Sequence, residues 1–208
     1  MSDIVKKIIV LLEKKYPEAK IALKFSNPLE LLAATILSAQ STDLLVNRVT
    51  ENLFLKYRTL EDYVRASLPI FEQAIRSTGF YHNKAKNIIN ACKIIKQKFN
   101  GQVPKTMEEL VTLPGVARKT ANIVLSNGYG VVVGIAVDTH VRRLAQRLGL
   151  TKNSRPEKIE ADLMKIVPED KWFKFPYLLI EHGRKICKAL KPDHANCLLR
   201  NICPSKEI

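Results

Sequence analysis

The stretch from residue 110 to residue 125 indicates most directly how this chain folds. It reads Leu110-Val111-Thr112-Leu113-Pro114-Gly115-Val116-Ala117-Arg118-Lys119-Thr120-Ala121-Asn122-Ile123-Val124-Leu125. Two helical patterns flank Pro-Gly-Val-Ala, so the stretch predicts two helices joined by a tight turn, with a small residue at 121 where the helices approach closely. Such a turn presents backbone N–H groups at a helix N-terminus, where a phosphate group binds. An ordinary helical hairpin with a glycine turn is the alternative.

The charge of the chain is concentrated around this stretch. The 208 residues contain 34 Lys and Arg against 20 Asp and Glu, a formal net charge of +14. Residues 73–156 hold 14 of the basic side chains and three acidic ones, Glu108, Glu109 and Asp138, a net of +11. A long segment almost without acids indicates a phosphate backbone as partner, with binding that weakens as salt rises.

Composition excludes several classes of protein. Hydrophobic residues make up 46% of the chain, enough for a packed core. No apolar run approaches the roughly 20 residues of a membrane span, so no membrane partner is expected. The first residues show no signal-peptide pattern, and four cysteines are too few for a secreted disulfide framework. We therefore expect a cytoplasmic protein, associated with the nucleoid through its phosphate-bearing partner, and a monomer.

Hydrophobic periodicity predicts an all-α fold. The apolar run 131–137 is β-branched, but an isolated strand has no partner, so it is predicted to be a buried extended connector. Helices are predicted near residues 4–12, 31–36, 44–54, 69–77, 84–99, 106–110, 141–148 and 157–166.

Five stretches resemble one known family. They are Leu-Pro-Gly-Val-Ala-Arg-Lys-Thr-Ala-Asn at 113–122, Ala-Val-Asp-Thr-His-Val at 136–141, Ile-Leu-Ser-Ala-Gln-Ser-Thr-Asp at 36–43, Gly-Phe-Tyr-His-Asn-Lys-Ala at 79–85 and His-Gly-Arg at 182–184. In this order they resemble the endonuclease III family, the helix-hairpin-helix base-excision DNA glycosylases, over nearly the whole chain.

The resemblance implies an architecture and an activity. The expected fold is all-α and two-lobed: residues 21–133 form a six-helix lobe with the helix-hairpin-helix at about 106–125, and residues 1–20 plus 134–208 form a second lobe with a metal loop at 187–203. The expected activity is that of a bifunctional glycosylase and AP lyase, which excises oxidised pyrimidines from double-stranded DNA and nicks abasic sites. A mismatch-directed thymine or uracil glycosylase and a non-catalytic damage-binding protein are the alternatives.

Two residues are implied to be catalytic. Lys119 corresponds to the nucleophile that forms a Schiff base with the sugar; a phosphate contact is the alternative role. Asp138 corresponds to the carboxylate that stabilises positive charge on the sugar as the base leaves. An N-cap for the helix that begins at Thr139 is its other interpretation, and both roles are compatible.

The resemblance also implies contacts with DNA. In the family's pattern Gln40 fills the gap left by a nucleotide flipped out of the duplex, and the loop 79–83 acts as a wedge on the opposite strand; Gln40 as a surface helix residue is the alternative. Ala117 replaces a family glycine, so we expect weakened phosphate binding there. The implied DNA-contacting residues are Gln40, Tyr81, His82, Asn83, Lys84, Gly115, Val116, Ala117, Arg118, Thr120 and His140.

The cysteines depart from the family's pattern. The family binds a [4Fe-4S] cluster with four cysteines, separated by six, two and five residues. Here the spacing is kept by Cys187, His194, Cys197 and Cys203, with an imidazole in the second position. Three hypotheses stay open: a cluster with one histidine ligand, a structural zinc site, or a labile or absent cluster without a His194 ligand. Cys92 is predicted to be a buried thiol outside this site.

Overall fold

The computed structural model describes residues 2–206 and divides the chain into two units. One consists of Met1–Ile21 and Gly134–Ile208, and the other of Ala22–Val133. Every regular element among the described residues is helical, so the predicted all-α fold class is confirmed. None of the helices in this part of the chain has the length and hydrophobicity to cross a membrane.

The unit Ala22–Val133 contains seven α-helical segments, two of them very short. A 3₁₀ turn, Arg76–Thr78, precedes α6. The helices are α2 (Pro28–Leu37), α3 (Asp43–Lys56), α4 (Leu60–Val64), α5 (Leu68–Ile75), α6 (Tyr81–Lys98), α7 (Met107–Leu110) and α8 (Arg118–Tyr129).

Side-chain caps determine where several of these helices begin. Asn27 Oδ1 accepts a hydrogen bond from the N–H of Glu30 at 2.9 Å, which caps α2. Thr59 forms a capping box with Asp62 at the start of α4, and the Thr106 hydroxyl caps α7. Each bond satisfies one of the backbone donors that a helix leaves unpaired in its first turn.

The core of this unit surrounds α2, which is buried on all sides from Leu31 to Leu37. Helix α8 packs against it, and α6 packs against α4 and α5. The helical hairpin of α7 and α8 is thus held on one side by the most buried helix of the unit. Tyr57, Tyr63 and Phe71 form an aromatic cluster with ring centroids 5.0 to 5.9 Å apart.

The second unit combines the N-terminal helix with the C-terminal third of the chain. Helix α11 packs against both α9 and α1. The connector between the two units has no strand, as predicted, but Val131 and Val133 are exposed and burial starts at Gly134. The helices are α1 (Ser2–Lys15), α9 (Thr139–Arg147), α10 (Pro156–Ile166) and α11 (Phe175–Lys185), with 3₁₀ turns at Glu169–Lys171 and Arg200–Ile202.

Candidate functional site

The turn between α7 and α8 has the tight geometry that the sequence predicts. Val116 donates its N–H to the carbonyl of Leu113 at 3.1 Å, and Gly115 takes a φ of +78°. An added Cβ on Gly115 would lie 2.9 Å from Asn87 Nδ2 and 3.0 Å from Asn87 Cβ. Glycine is needed here for its left-handed backbone and for the close approach of α6.

Val116 does not fit the expectation of a DNA contact. Its side chain is buried and its N–H is used within the turn. Hydrophobic packing under the turn explains why an apolar residue stands at this position.

Ala117 is the N-cap residue of α8 and has a φ of −89° with a ψ of 170°. This extended conformation suits alanine, so the replaced glycine is not required for backbone freedom at this position. The Ala117 side chain cannot accept a hydrogen bond, and α8 has no side-chain cap. The first turn of α8 therefore begins without a capping side chain, in the arrangement that lets helix N-termini bind anions.

Lys119 lies in this uncapped first turn. Its side chain is exposed, and within residues 2–206 its ammonium has no hydrogen bond or ion pair. Arg118 is exposed beside it, and Thr120 is half-buried. The turn thus presents an amine and a guanidinium next to a helix N-terminus.

Three exposed residues of the same unit, Gln40, Phe80 and Asn100, have a left-handed backbone, and the first two belong to the stretches that resemble the family. Gln40 follows α2 with a φ of 53°, in a turn and not on a helix as its alternative role required. Phe80 precedes α6 with a φ of 49°, and 66% of its surface is exposed. The family pattern included Phe80 only as part of a loop. The sequence signal that could have identified Phe80 is the position of a large apolar residue between Gly79 and the start of a helix.

Tyr81, His82 and Asn83 form the first turn of α6, so they belong to this helix and not to the loop that the family pattern implied. The rings of Tyr81 and His82 stack with centroids 4.0 Å apart. His82 Nδ1 also lies 2.9 Å from a carboxylate oxygen of Glu72. Of the three, His82 and Asn83 are exposed, and Tyr81 is half-buried.

Lys84 was predicted to contact DNA, and the structure contradicts this. The residue is buried, and its ammonium donates to the carbonyl oxygens of Leu37 and Thr78 and to the hydroxyl of Ser41. Because an ammonium has three N–H groups, no donor is left for a phosphate.

In the other unit, Asp138 is the N-cap of α9. Its carboxylate accepts the N–H of Val141 at 2.7 Å, and the residue is half-buried. His140, the second residue of α9, lies with its Nδ1 3.2 Å from Nη2 of Arg143. The cap interpretation of Asp138 is therefore confirmed, and the carboxylate is held in a fixed position beside a helix N-terminus.

Cys187, Cys197 and Cys203 line one pocket, together with His194 and Arg147. Burial raises the pKa of Cys197, and the nearby thiols of Cys187 and Cys203 raise it further. The Nδ1 atom of His194 is hydrogen-bonded to the carbonyl oxygen of Lys206. Among residues 2–206, no three His, Cys, Asp or Glu side chains converge at the spacing of a single metal ion.

Two arginines of α9 connect this pocket to the helix that Asp138 caps. Arg147 donates to Cys187 Sγ at 3.3 Å and to the carbonyl of Lys188 at 2.7 Å. Arg143, one turn earlier, donates to the carbonyls of Gly183 and Cys187, each at 3.0 Å. The position of the loop is thus coupled to α9 by side chains of one helix face.

His182 is a site residue to which the sequence assigned no role. It is 1% exposed, with Tyr16 Oη 3.3 Å from its Nδ1 and Cys197 Sγ 3.5 Å from its Nε2. Burial lowers the pKa of His182 to about 4, so the imidazole is neutral at pH 7. Cys92, by contrast, lies outside the pocket and is buried as predicted; burial raises its pKa to about 12.

Comparison with known proteins gives one consistent result. The model of the HhH-GPD superfamily of base excision DNA repair proteins matches residues 33–169. The endonuclease III of Synechocystis sp. is 50% identical over 200 residues, which cover 96% of this chain and 91% of that protein. The endonuclease III of Bacillus subtilis is 48% identical over 189 residues, 90% of this chain and 86% of that protein.

A solved structure gives the same result in three dimensions. The structure of a trapped endonuclease III–DNA covalent intermediate, an estranged-adenine complex, is 44% identical in sequence to this chain and matches it with a TM-score of 0.95. The match covers 99% of this chain and 97% of the solved one.

Proposed function

Since this chain belongs to the endonuclease III family, within the HhH-GPD superfamily of base excision DNA repair proteins, we propose that Lys119 is the nucleophile with which it acts on damaged DNA. The chain is a bifunctional DNA glycosylase and AP lyase. The observation that carries the assignment is the exposed Lys119 ammonium, which has no partner among residues 2–206, in the uncapped first turn of α8.

In the proposed reaction the nitrogen of Lys119 acts first as the nucleophile and then, within a Schiff base, as the electron acceptor for strand cleavage. The neutral amine attacks C1′ of the target nucleotide; the C1′–N bond to lysine forms, and the bond to the base breaks, so the base leaves with the bonding electrons and takes up a proton. Loss of a proton and opening of the sugar leave a Schiff base. Removal of a C2′ proton then breaks the C3′–O bond and nicks the strand by β-elimination.

Asp138 is proposed to stabilise the positive charge that develops on the sugar as the base leaves. Its hydrogen bond from Val141 supports this role, because it fixes the orientation of the carboxylate. A carboxylate held in advance loses little free energy to reorganisation when the charge forms.

The proposed substrate is double-stranded DNA that contains a damaged pyrimidine or an abasic site. The uncapped N-terminus of α8 and the net charge of +11 over residues 73–156 support a grip on the phosphate backbone. Gly115, Ala117, Arg118 and Thr120 are proposed to bind a phosphate in this turn, whereas the exposed side chain of Gln40 is proposed to fill the gap left by the flipped nucleotide. We place the protein in the cytoplasm, on the nucleoid.

The pocket at 187–203 is proposed to hold a [4Fe-4S] cluster through Cys187, Cys197 and Cys203. Thiolates are the usual ligands of such clusters, and a group of four irons is several ångströms across, so its ligands need not converge on one point. His194 is proposed as the fourth ligand. Its Nδ1 bond to the Lys206 carbonyl leaves Nε2 as the atom with a free lone pair. When bound, the cluster supplies a rigid structural link and no reacting group.

Trapping with borohydride tests the nucleophile. Borohydride reduces a Schiff base to a stable amine, so the wild-type chain should become covalently attached to duplex DNA that contains an oxidised pyrimidine. Lys119→Gln should abolish trapping and lower strand cleavage by roughly 10³-fold or more. Lys93→Gln, which removes an exposed charge elsewhere in the same unit, should still be trapped.

Persistent trapping of Lys119→Gln contradicts the assignment. Substrate preference is measured in the same assay, with duplexes that carry an oxidised pyrimidine, a thymine opposite guanine or a uracil opposite guanine. Faster excision of either mismatched base would replace the proposed substrate with a mismatch.

A further inference from the structure

The buried Lys84 is an unusual residue in a protein that binds a polyanion. Only 4% of its surface is exposed, although it belongs to the basic segment. Its Nζ donates to the Leu37 carbonyl at 2.8 Å, to the Thr78 carbonyl at 2.7 Å and to Ser41 Oγ at 3.2 Å. The three N–H groups of the ammonium are therefore all used inside the protein.

Both carbonyl acceptors lie at helix ends. Leu37 is the last residue of α2, and Thr78 is the last residue of the 3₁₀ turn Arg76–Thr78. The final carbonyls of a helix lack partners within that helix and carry its negative dipole charge, so a buried cation is stabilised there. The Ser41 hydroxyl also donates to the Thr78 carbonyl, which closes the contact between the two chain segments.

Two exposed residues with a left-handed backbone, Gln40 and Phe80, stand next to these acceptors. Gln40 directly precedes Ser41, and Phe80 follows Thr78 by two positions. A residue other than glycine keeps a left-handed backbone only where its surroundings enforce it. The Lys84 ammonium is hydrogen-bonded to both chain segments, the one that carries Gln40 and the one that carries Phe80, and so fixes their positions.

We propose that Lys84 is a positioning residue that fixes Gln40 and Phe80 relative to each other, so that both side chains enter the duplex together when the damaged nucleotide is flipped out. The inference rests on the proposed function, in which these segments contact the opened DNA. It assigns the lysine to opening the duplex and not to phosphate binding or to bond cleavage.

The two reactions of the enzyme depend differently on opening the duplex. A paired or stacked base must be unstacked before it is excised, whereas a preformed abasic site has no base to unstack. Loss of the positioning residue should therefore slow base excision more than it slows cleavage of a preformed abasic site.

The experiment compares Lys84→Met with Lys86→Met, which removes the charge of an exposed lysine on the same helix. Single-turnover rates are measured on a damaged-base duplex and on an abasic duplex, and 2-aminopurine fluorescence next to the lesion reports opening. Lys84→Met should slow base excision by about 10–100-fold, since small misplacements cost that much, and should lower the fluorescence increase. Its abasic cleavage should slow by about threefold or less, as should both reactions of Lys86→Met.

Ser41→Ala serves where Lys84→Met fails to fold. It removes one of the three acceptors and keeps both carbonyl bonds, so it should show the same selective loss to a smaller degree. Equal slowing of both reactions, or wild-type opening and excision, overturns the positioning role. A wild-type chain inactive on both substrates overturns the proposed function instead, and the fluorescence comparison then still decides the role of Lys84 in opening DNA.

Discussion

Replacement of Gly115 by alanine should destabilise the protein more than replacement of Gly130, and the reason lies in one neighbour. Both glycines have a positive φ, +78° and +69°, in the same unit. A Cβ on Gly130 would meet nothing within 4 Å, whereas one on Gly115 would lie 2.9 Å from Asn87 Nδ2 and 3.0 Å from Asn87 Cβ.

The magnitude follows from these contacts. A left-handed backbone costs an alanine about 1–2 kcal/mol at either position. The overlap with Asn87 adds about 1–3 kcal/mol at Gly115 alone, since α6 or the turn must shift. Both substitutions restrict the unfolded chain equally, so this effect cancels in the comparison.

Urea and thermal unfolding measure the difference. Gly115→Ala should lower the free energy of unfolding by about 1–3 kcal/mol more than Gly130→Ala, roughly 2–12 °C in Tm for a chain of this size. Combination with Asn87→Ala, which removes the Nδ2 and Cγ contacts but keeps Cβ, should recover part of the loss. Equal destabilisation by Gly115→Ala and Gly130→Ala would refute this reasoning.

Further expectations concern the acidic residues and the metal pocket. Asp138→Asn should slow base excision by about 10²–10³-fold, while its free energy of unfolding in urea should stay within about 0.5 kcal/mol of wild type, because asparagine caps a helix as well as aspartate. Asp138→Ala should slow excision and also lower the free energy of unfolding by about 1 kcal/mol. An Asp138→Asn variant with wild-type excision would show that Asp138 acts only as a helix cap. Hydrogen bonds from Thr151 and Asn153 lower the pKa of Asp162 below its usual 3.8. The stabilisation from these two hydrogen bonds is complete above pH 3.8 and is lost as the pH falls through the folded-state pKa of Asp162. Asp162→Asn should therefore make the free energy of unfolding fall less steeply at acid pH. An unchanged acid limb of the stability–pH curve would contradict this expectation. Purified protein should be brown and contain about four irons per chain; a colourless protein that contains zinc would contradict the proposed cluster. His194→Cys should lower the reduction potential of the cluster, because imidazole ligands raise that potential.

Helices were predictable where a run or a stripe of apolar residues follows a capping residue. The predicted helix near 31–36 lies within α2, which Asn27 caps, and the one near 106–110 corresponds to α7 together with its cap Thr106. Helix α11 was missed, because it begins after Lys174 without a side-chain cap and contains Pro176 and Gly183, residue types that usually mark helix ends. Without a capping side chain at its start, this helix lacks the local boundary signal that marks α2 and α7.

The site residues show the same division between local and distant interactions. Gly115 and Asp138 were identified from local patterns, since a tight turn and an N-cap are formed by residues within a few positions of each other. His182 received no role, since its partners are Tyr16 and Cys197, which lie in other segments.

The all-α class, the basic segment, the hairpin with Lys119 and the family of the chain all follow from the order of its amino acids. Which basic residues face solvent depends on the tertiary fold. Lys84 and Lys119 carry the same charge in the same basic segment. Lys119 is exposed, whereas Lys84 donates a hydrogen bond to the carbonyl of Leu37, 47 positions away. The buried ammonium of Lys84 is stabilised by carbonyl oxygens at two helix ends that the fold brings together, and no local pattern encodes that meeting.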